Sequence, residues 1–90
     1  MMKVTLKILA KDVQENDYLD FRKCAITRAL HRAGLIDYFD GNGLVNNNFK
    51  YVSVNKKQYD KLTSKVMKMY NNKRNGLPIK NMNATITILN

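Results

Sequence analysis

The chain of 90 residues holds one cysteine, one histidine, one proline, no tryptophan and only seven acidic residues. Each scarcity excludes something. Cys24 alone forms no internal disulfide, and with His31 as the one imidazole a Cys/His zinc site lacks its ligands. The apolar runs last a few residues, against the roughly 20 that a helix needs to span a bilayer. No N-terminal stretch has the charged-then-apolar pattern of a secretory leader. A soluble chain in a reducing cytoplasm is the expectation, with no membrane partner. No Gly-x-Ser-x-Gly elbow, phosphate loop or dinucleotide fingerprint occurs, so a non-enzymatic protein without a cofactor is expected. A chain of this length makes one domain, residues 1–90, and buries a little over ~60% of the surface its unfolded form exposes.

What is abundant is positive charge. The formal net charge is +9 and lopsided: residues 1–40 carry seven basic and six acidic side chains, residues 41–90 nine and one. Such asymmetry points to a polyanionic partner, meaning nucleic acid, an anionic surface or an acidic protein. A compositional cause competes with it. Lysines outnumber arginines twelve to four and asparagine occurs twelve times, the usage that an AT-rich genome encodes whatever a protein does.

The segment "MKVTLKILA" alternates Val4, Leu6 and Ile8 with Lys3, Thr5 and Lys7, the period of a strand with one buried face. "KDVQENDYLD" reads as a loop ending at Asp20, a helix N-cap. "FRKCAITRALHRAG" then gathers Phe21, Cys24, Ala25, Ile26, Ala29, Leu30 and Ala33 on one broad side before Gly34 stops the helix. "LIDYF" reads as a short second strand and "DGNG" at 40–43 as a turn. "NFKYVSV" is a third strand that buries Val52 and Val54 and turns Phe49, Tyr51 and Ser53 the other way, or is covered on both sides. Asn55 and Gln58 make an Asn-x-x-Gln capping box that opens a second helix, "NNKRNGLP" ends it, and "NATITILN" returns to alternation as a last strand. The order β-α-β-β-α-β fits an α+β, ferredoxin-like two-layer sandwich. If residues 35–39 are loop, the expectation becomes a three-stranded antiparallel sheet with two helices.

Through Cys24, Ile26, Ala29 and Leu30, the run "KCAITRALHRAG" resembles the Cys-Pro-Ile/Val-Ala-x-Ala-Leu run of a loose group of small phage and prophage proteins. Ala25 stands where that group prefers proline, and Thr27 where it often has alanine. The resemblance implies the same element order, a phage or mobile-element origin and no defined activity. Taken by itself, Cys24 is a small apolar side chain in a helix face. His31 lies about 10.5 Å further along the axis at 1.5 Å per residue, too far for a thiolate-imidazole pair. Glu15, Asp17 and Asp20 share one loop, and Asp40 with Asn42 opens like a calcium loop. Leu44 fills the fifth position, however, and no glutamate closes the loop. Caps and turns account for these carboxylates, and no metal is expected.

Residues 54–74, "VNKKQYDKLTSKVMKMYNNKR", hold seven basic residues and one acid, Asp60. At 100° per residue, with Lys57 at zero, Lys61, Lys65 and Lys68 fall within about 80° of it, and Tyr59, Leu62, Val66, Met69 and Tyr70 gather opposite. The stripe spans about 16 Å, comparable to several phosphates at ~3.4 Å axial spacing, and Lys73 and Arg74 extend it. Lysine rather than arginine suits sequence-blind contact with a backbone. The plain alternative is the wet face that any amphipathic helix needs. "FKYVSV" resembles the end of the third-strand motif of RNA-recognition motifs through Phe49, Tyr51 and Val52. Lys50 and Val54 replace a small residue and an aromatic there, and "KVTLKI" offers no stacking ring. The plain alternative is that both rings pack in or beside the core. The expected function is sequence-nonspecific nucleic-acid binding by Lys57, Lys61, Lys65, Lys68, Lys73 and Arg74, with Phe49 and Tyr51 stacking on bases if exposed. A phage-encoded antagonist that docks on a host defence protein or captures a small anionic signal is the alternative.

Overall fold

Alternation of apolar and polar side chains makes strands of Met2–Ile8 (β1) and Met82–Ile88 (β4). In the computed structural model, which describes residues 2–14, 24–35, 38–39, 43–46 and 48–89, the two pair antiparallel along their whole length, from Met2 opposite Ile88 to Ile8 opposite Met82. This register lines Leu6, Ile8, Ile86 and Ile88 along one face, all buried. Two helices complete the core: Ala25–Arg32 (α1) contributes Ala25, Ile26, Ala29 and Leu30, and Lys56–Arg74 (α2) contributes Leu62, Val66, Met69 and Tyr70.

Between the helices, Tyr38–Phe39 (β2) and Leu44–Val45 (β3) form a short antiparallel pair. Residues 40–42 of the expected turn lie outside the described ones. The chain then folds back on β3, with Tyr51 bridging to Val45 and the Val52 N–H donating to the Leu44 carbonyl at 2.9 Å. Further on, Val54 pairs antiparallel with Ile88. The result is a small α+β fold: the two-stranded antiparallel sheet of β1 and β4, a third strand (residues 51–54) against it, the short β2–β3 pair, and two helices. A ferredoxin-like sheet would set the third strand beside β1. Among the described residues it meets β4 instead, and only at Val54, because the chain enters α2 at Lys56 before a longer ladder can form. As the alternation implied, Val52 and Val54 are half-buried and Ser53 exposed. Phe49 is not part of the strand; it closes the turn before it.

The start of α1 departs from expectation. Cys24, extended at φ −65° and ψ 164°, takes the cap position, so the helix begins at Ala25 and not after Asp20; residues 20–23 lie outside the described ones. The first N–H of a helix needs a partner from elsewhere. Here the Ala25 N–H donates to the Tyr70 hydroxyl of α2 at 3.0 Å, inside the core. Both helices end alike. The Leu35 N–H reaches the Leu30 carbonyl and the Gly34 N–H that of His31; at α2, Leu77 and Gly76 do the same to Asn72 and Lys73. These are Schellman closures, which require a left-handed residue, and Gly34 and Gly76 sit at φ 88° and 71°.

A second long-range tie joins α1 to the end of β1. Arg32 donates to the Asp12 carboxylate at 2.6 Å and to the Lys7 carbonyl. Asp12, buried in a 3-10 turn (Ala10–Asp12), also accepts from the Leu9 N–H. The hydrogen bond to Asp12 raises the Arg32 pKa, its charge adding to this and partial burial opposing it. The guanidinium therefore stays protonated.

Tyr70→Phe removes the partner of a buried N–H and should destabilise the fold by about 1–3 kcal/mol, read from denaturant unfolding. Gly76→Ala meets no neighbouring atom within 4 Å, so its expected loss of about 1–2 kcal/mol comes from backbone strain alone.

Candidate nucleic-acid interface

Asn55 caps α2: its side-chain oxygen accepts from the Gln58 N–H at 3.0 Å. From that start the helix buries Leu62, Val66, Met69 and Tyr70. With those four facing inward, Lys57, Lys61, Lys65 and Lys68 are all exposed along the other side. Lys73 and Arg74 are exposed too, but the helix carries them about 160° and 260° round from Lys57. They add charge beyond the stripe's end and do not lie along it.

The electrostatics divide these cations into two sets. Lys73 and Arg74 occupy the last turn, where positive charge complements the helix dipole, so the helix itself explains them. Lys57 lies in the first turn, which has no acid, at the end where a cation is unfavourable. Lys57, Lys61 and Lys65 succeed one another at i,i+4 and Lys68 follows at i,i+3, spacings at which like charges repel by about 0.2–0.5 kcal/mol per pair. Among the described residues, Asp60 is the one carboxylate within ion-pair distance of an α2 lysine. It faces Lys56 at 3.4 Å with both side chains exposed, a pair of little consequence. The stripe is thus arranged against the local stability of its helix.

The aromatic pair is exposed, not packed in the core: Phe49 is 74% accessible and Tyr51 59%. Both belong to a tight reversal built on Asn46. Its carboxamide oxygen accepts from the Asn48 and Lys50 N–H groups at 2.9 and 3.1 Å, and its carbonyl accepts from the Phe49 N–H. Phe49 adopts φ 61°, a strained conformation for a bulky residue. Tyr51 lies close over Gly43, where an added Cβ would stand 3.2 Å from the ring.

Two groups near the stripe carried no sequence signal. Asn83 and Thr85 of β4 and Gln58 of α2 join Lys61 and Lys65 around a recess of about 300 Å³ between α2 and β4. Only the fold brings residues 58–65 against 83–85. The acidic residues weighed for a cation, Glu15, Asp17, Asp20 and Asp40, lie outside the described residues. Among the described residues no cluster of three His, Cys, Asp or Glu could hold a metal, and no helix is long and apolar enough to cross a membrane. Cys24 is buried 3.4 Å from the Thr27 hydroxyl, whereas His31 is exposed. Comparisons with protein-family models, curated proteins and solved structures find no match.

Lys61→Glu converts two repulsive i,i+4 spacings, to Lys57 and Lys65, into attractive ones. It should stabilise the protein by roughly 1–2 kcal/mol at low salt, the gain shrinking as salt is added. Unfolding curves at two ionic strengths check this.

Proposed function

We propose that this chain is a small non-enzymatic module, of the phage or mobile-element type that its α1 run resembles, binding nucleic acid without sequence preference through α2. The observation that carries the reading is the stripe of Lys57, Lys61, Lys65 and Lys68, exposed and without acidic partners among the described residues. A helix gains nothing locally from this arrangement. A phosphate backbone relieves its repulsion and releases counterions in the process. Lysine at every stripe position supports a charge-only contact, since the planar arginine fork is the usual reader of guanine.

Phe49 and Tyr51 fit the same reading as stacking surfaces for single-stranded bases. Their exposure supports it, and so does the strained Phe49 backbone, which holds a ring in solvent at the tip of a turn. The alternative, capture of a host protein or a small anionic signal, has one observation in its favour: Lys61 and Lys65 converge on a recess as well as a stripe.

Binding to a labelled duplex across ~50 to 200 mM salt should give a slope of log K against log salt near −3.6 if all four lysines meet phosphates, at about −0.9 per contact. Charge reversal by Lys57→Glu with Lys65→Glu should flatten the slope and weaken binding by at least tenfold. An unchanged slope in a folded double variant would remove α2 from the interface. Tyr51→Ala should weaken single-strand binding by about 1–3 kcal/mol if one base stacks on the ring, and leave duplex binding nearly unaltered.

A further inference from the structure

Antiparallel strands turn successive backbone groups to opposite edges. In β4 the Thr87 carbonyl accepts from the Asn55 N–H and the Leu89 N–H donates to the Ser53 carbonyl, both at the edge away from β1. With the β1–β4 register continuous and free of bulges, the N–H and C=O of Asn83 and Thr85 face that same outer edge. There the third strand is missing, because the chain has left for α2 at Lys56. No backbone hydrogen bond satisfies these groups among the described residues. Alongside them runs the recess of about 300 Å³ walled by Gln58, Lys61 and Lys65, and the Gln58 Oε1 is buried without a partner.

We propose that this open edge of β4 takes a short, extended, acidic segment of a partner protein as an added strand, in line with residues 53–55. An edge that offers alternating N–H donors and C=O acceptors is matched by another peptide backbone. A phosphodiester chain supplies acceptors and leaves the Asn83 and Thr85 carbonyls unpaired. Charge sets the partner's sign: the recess is walled by two lysines and no acid. A second copy of this chain, itself at +9, is repelled by the same lysines, which is how lysine guards exposed edges against self-pairing. This surface is separate from the phosphate-binding reading but shares Lys61 and Lys65 with it, so the two ligands compete.

The test uses the intact chain and a fluorescein-labelled octapeptide of alternating glutamate and valine. Saturable binding is expected, with slowed amide exchange at Asn83 and Thr85 in the complex. Two versions of the peptide, each N-methylated at one alternate set of nitrogens, separate backbone pairing from charge: one set should lose at least tenfold in affinity. Lys61→Glu with Lys65→Glu should lose a similar factor. So should Thr85→Pro, which removes an outward N–H and spares the bonds to β1. The methylated peptides carry the test whether or not the proline variant folds. Absence of binding up to millimolar peptide would overturn the proposal. So would binding that both methylated versions retain, without protection of Asn83 and Thr85.

Discussion

Val66 follows Leu62 by four residues, and Met69 and Tyr70 follow Val66 by three and four, so a helix that buries them fixes where its lysines go. Their burial against β4 and α1 sets the rotation of α2, and every surface property of the helix follows from it. The Tyr70 hydroxyl makes this more than hydrophobic adhesion. By capping the Ala25 N–H it ties the rotation of α2 to the first residue of α1. A buried N–H left unmatched is expensive, so the hydroxyl allows little slippage. The same rotation that seats Tyr70 holds Lys57, Lys61, Lys65 and Lys68 in solvent.

The early entry into α2 has a second effect. A third strand that continued beyond Asn55 would have covered the outer edge of β4. Because the helix begins there, β4 keeps part of its edge open and α2 brings Lys61 and Lys65 beside it. A convex charged stripe and a recessed backbone edge therefore share two side chains.

Much of this architecture was legible because its periods are local. Val4, Leu6 and Ile8 announce β1, Ala84, Ile86 and Ile88 announce β4, and the angular split of lysine and apolar residues announces α2. Gly34 marked the end of α1 by the only conformation that closes it cheaply. What failed to show rests on contacts far apart in sequence. Asp20 looked like a cap, yet the helix begins at Ala25 with a tyrosine 45 residues away as partner for its N–H. The Arg32 bond to Asp12 spans 20 residues with no pattern to flag it. Phe49 looked like a strand residue because alternation continues through it. The Asn46 carboxamide instead bends the chain there, a side-chain effect that periodicity ignores. Of the candidate site, the stripe was readable and the recess was not, since Asn83 and Thr85 meet Lys61 and Lys65 only through the packing of α2 on β4.

The most direct measurement is a chemical-shift map of the isotope-labelled protein titrated with a short oligothymidylate at low salt. The account predicts the largest changes along residues 57–68, centred on Lys57, Lys61, Lys65 and Lys68, with a second group at Phe49 and Tyr51 and little change in α1. Changes centred elsewhere, or none at saturating oligonucleotide, would contradict it.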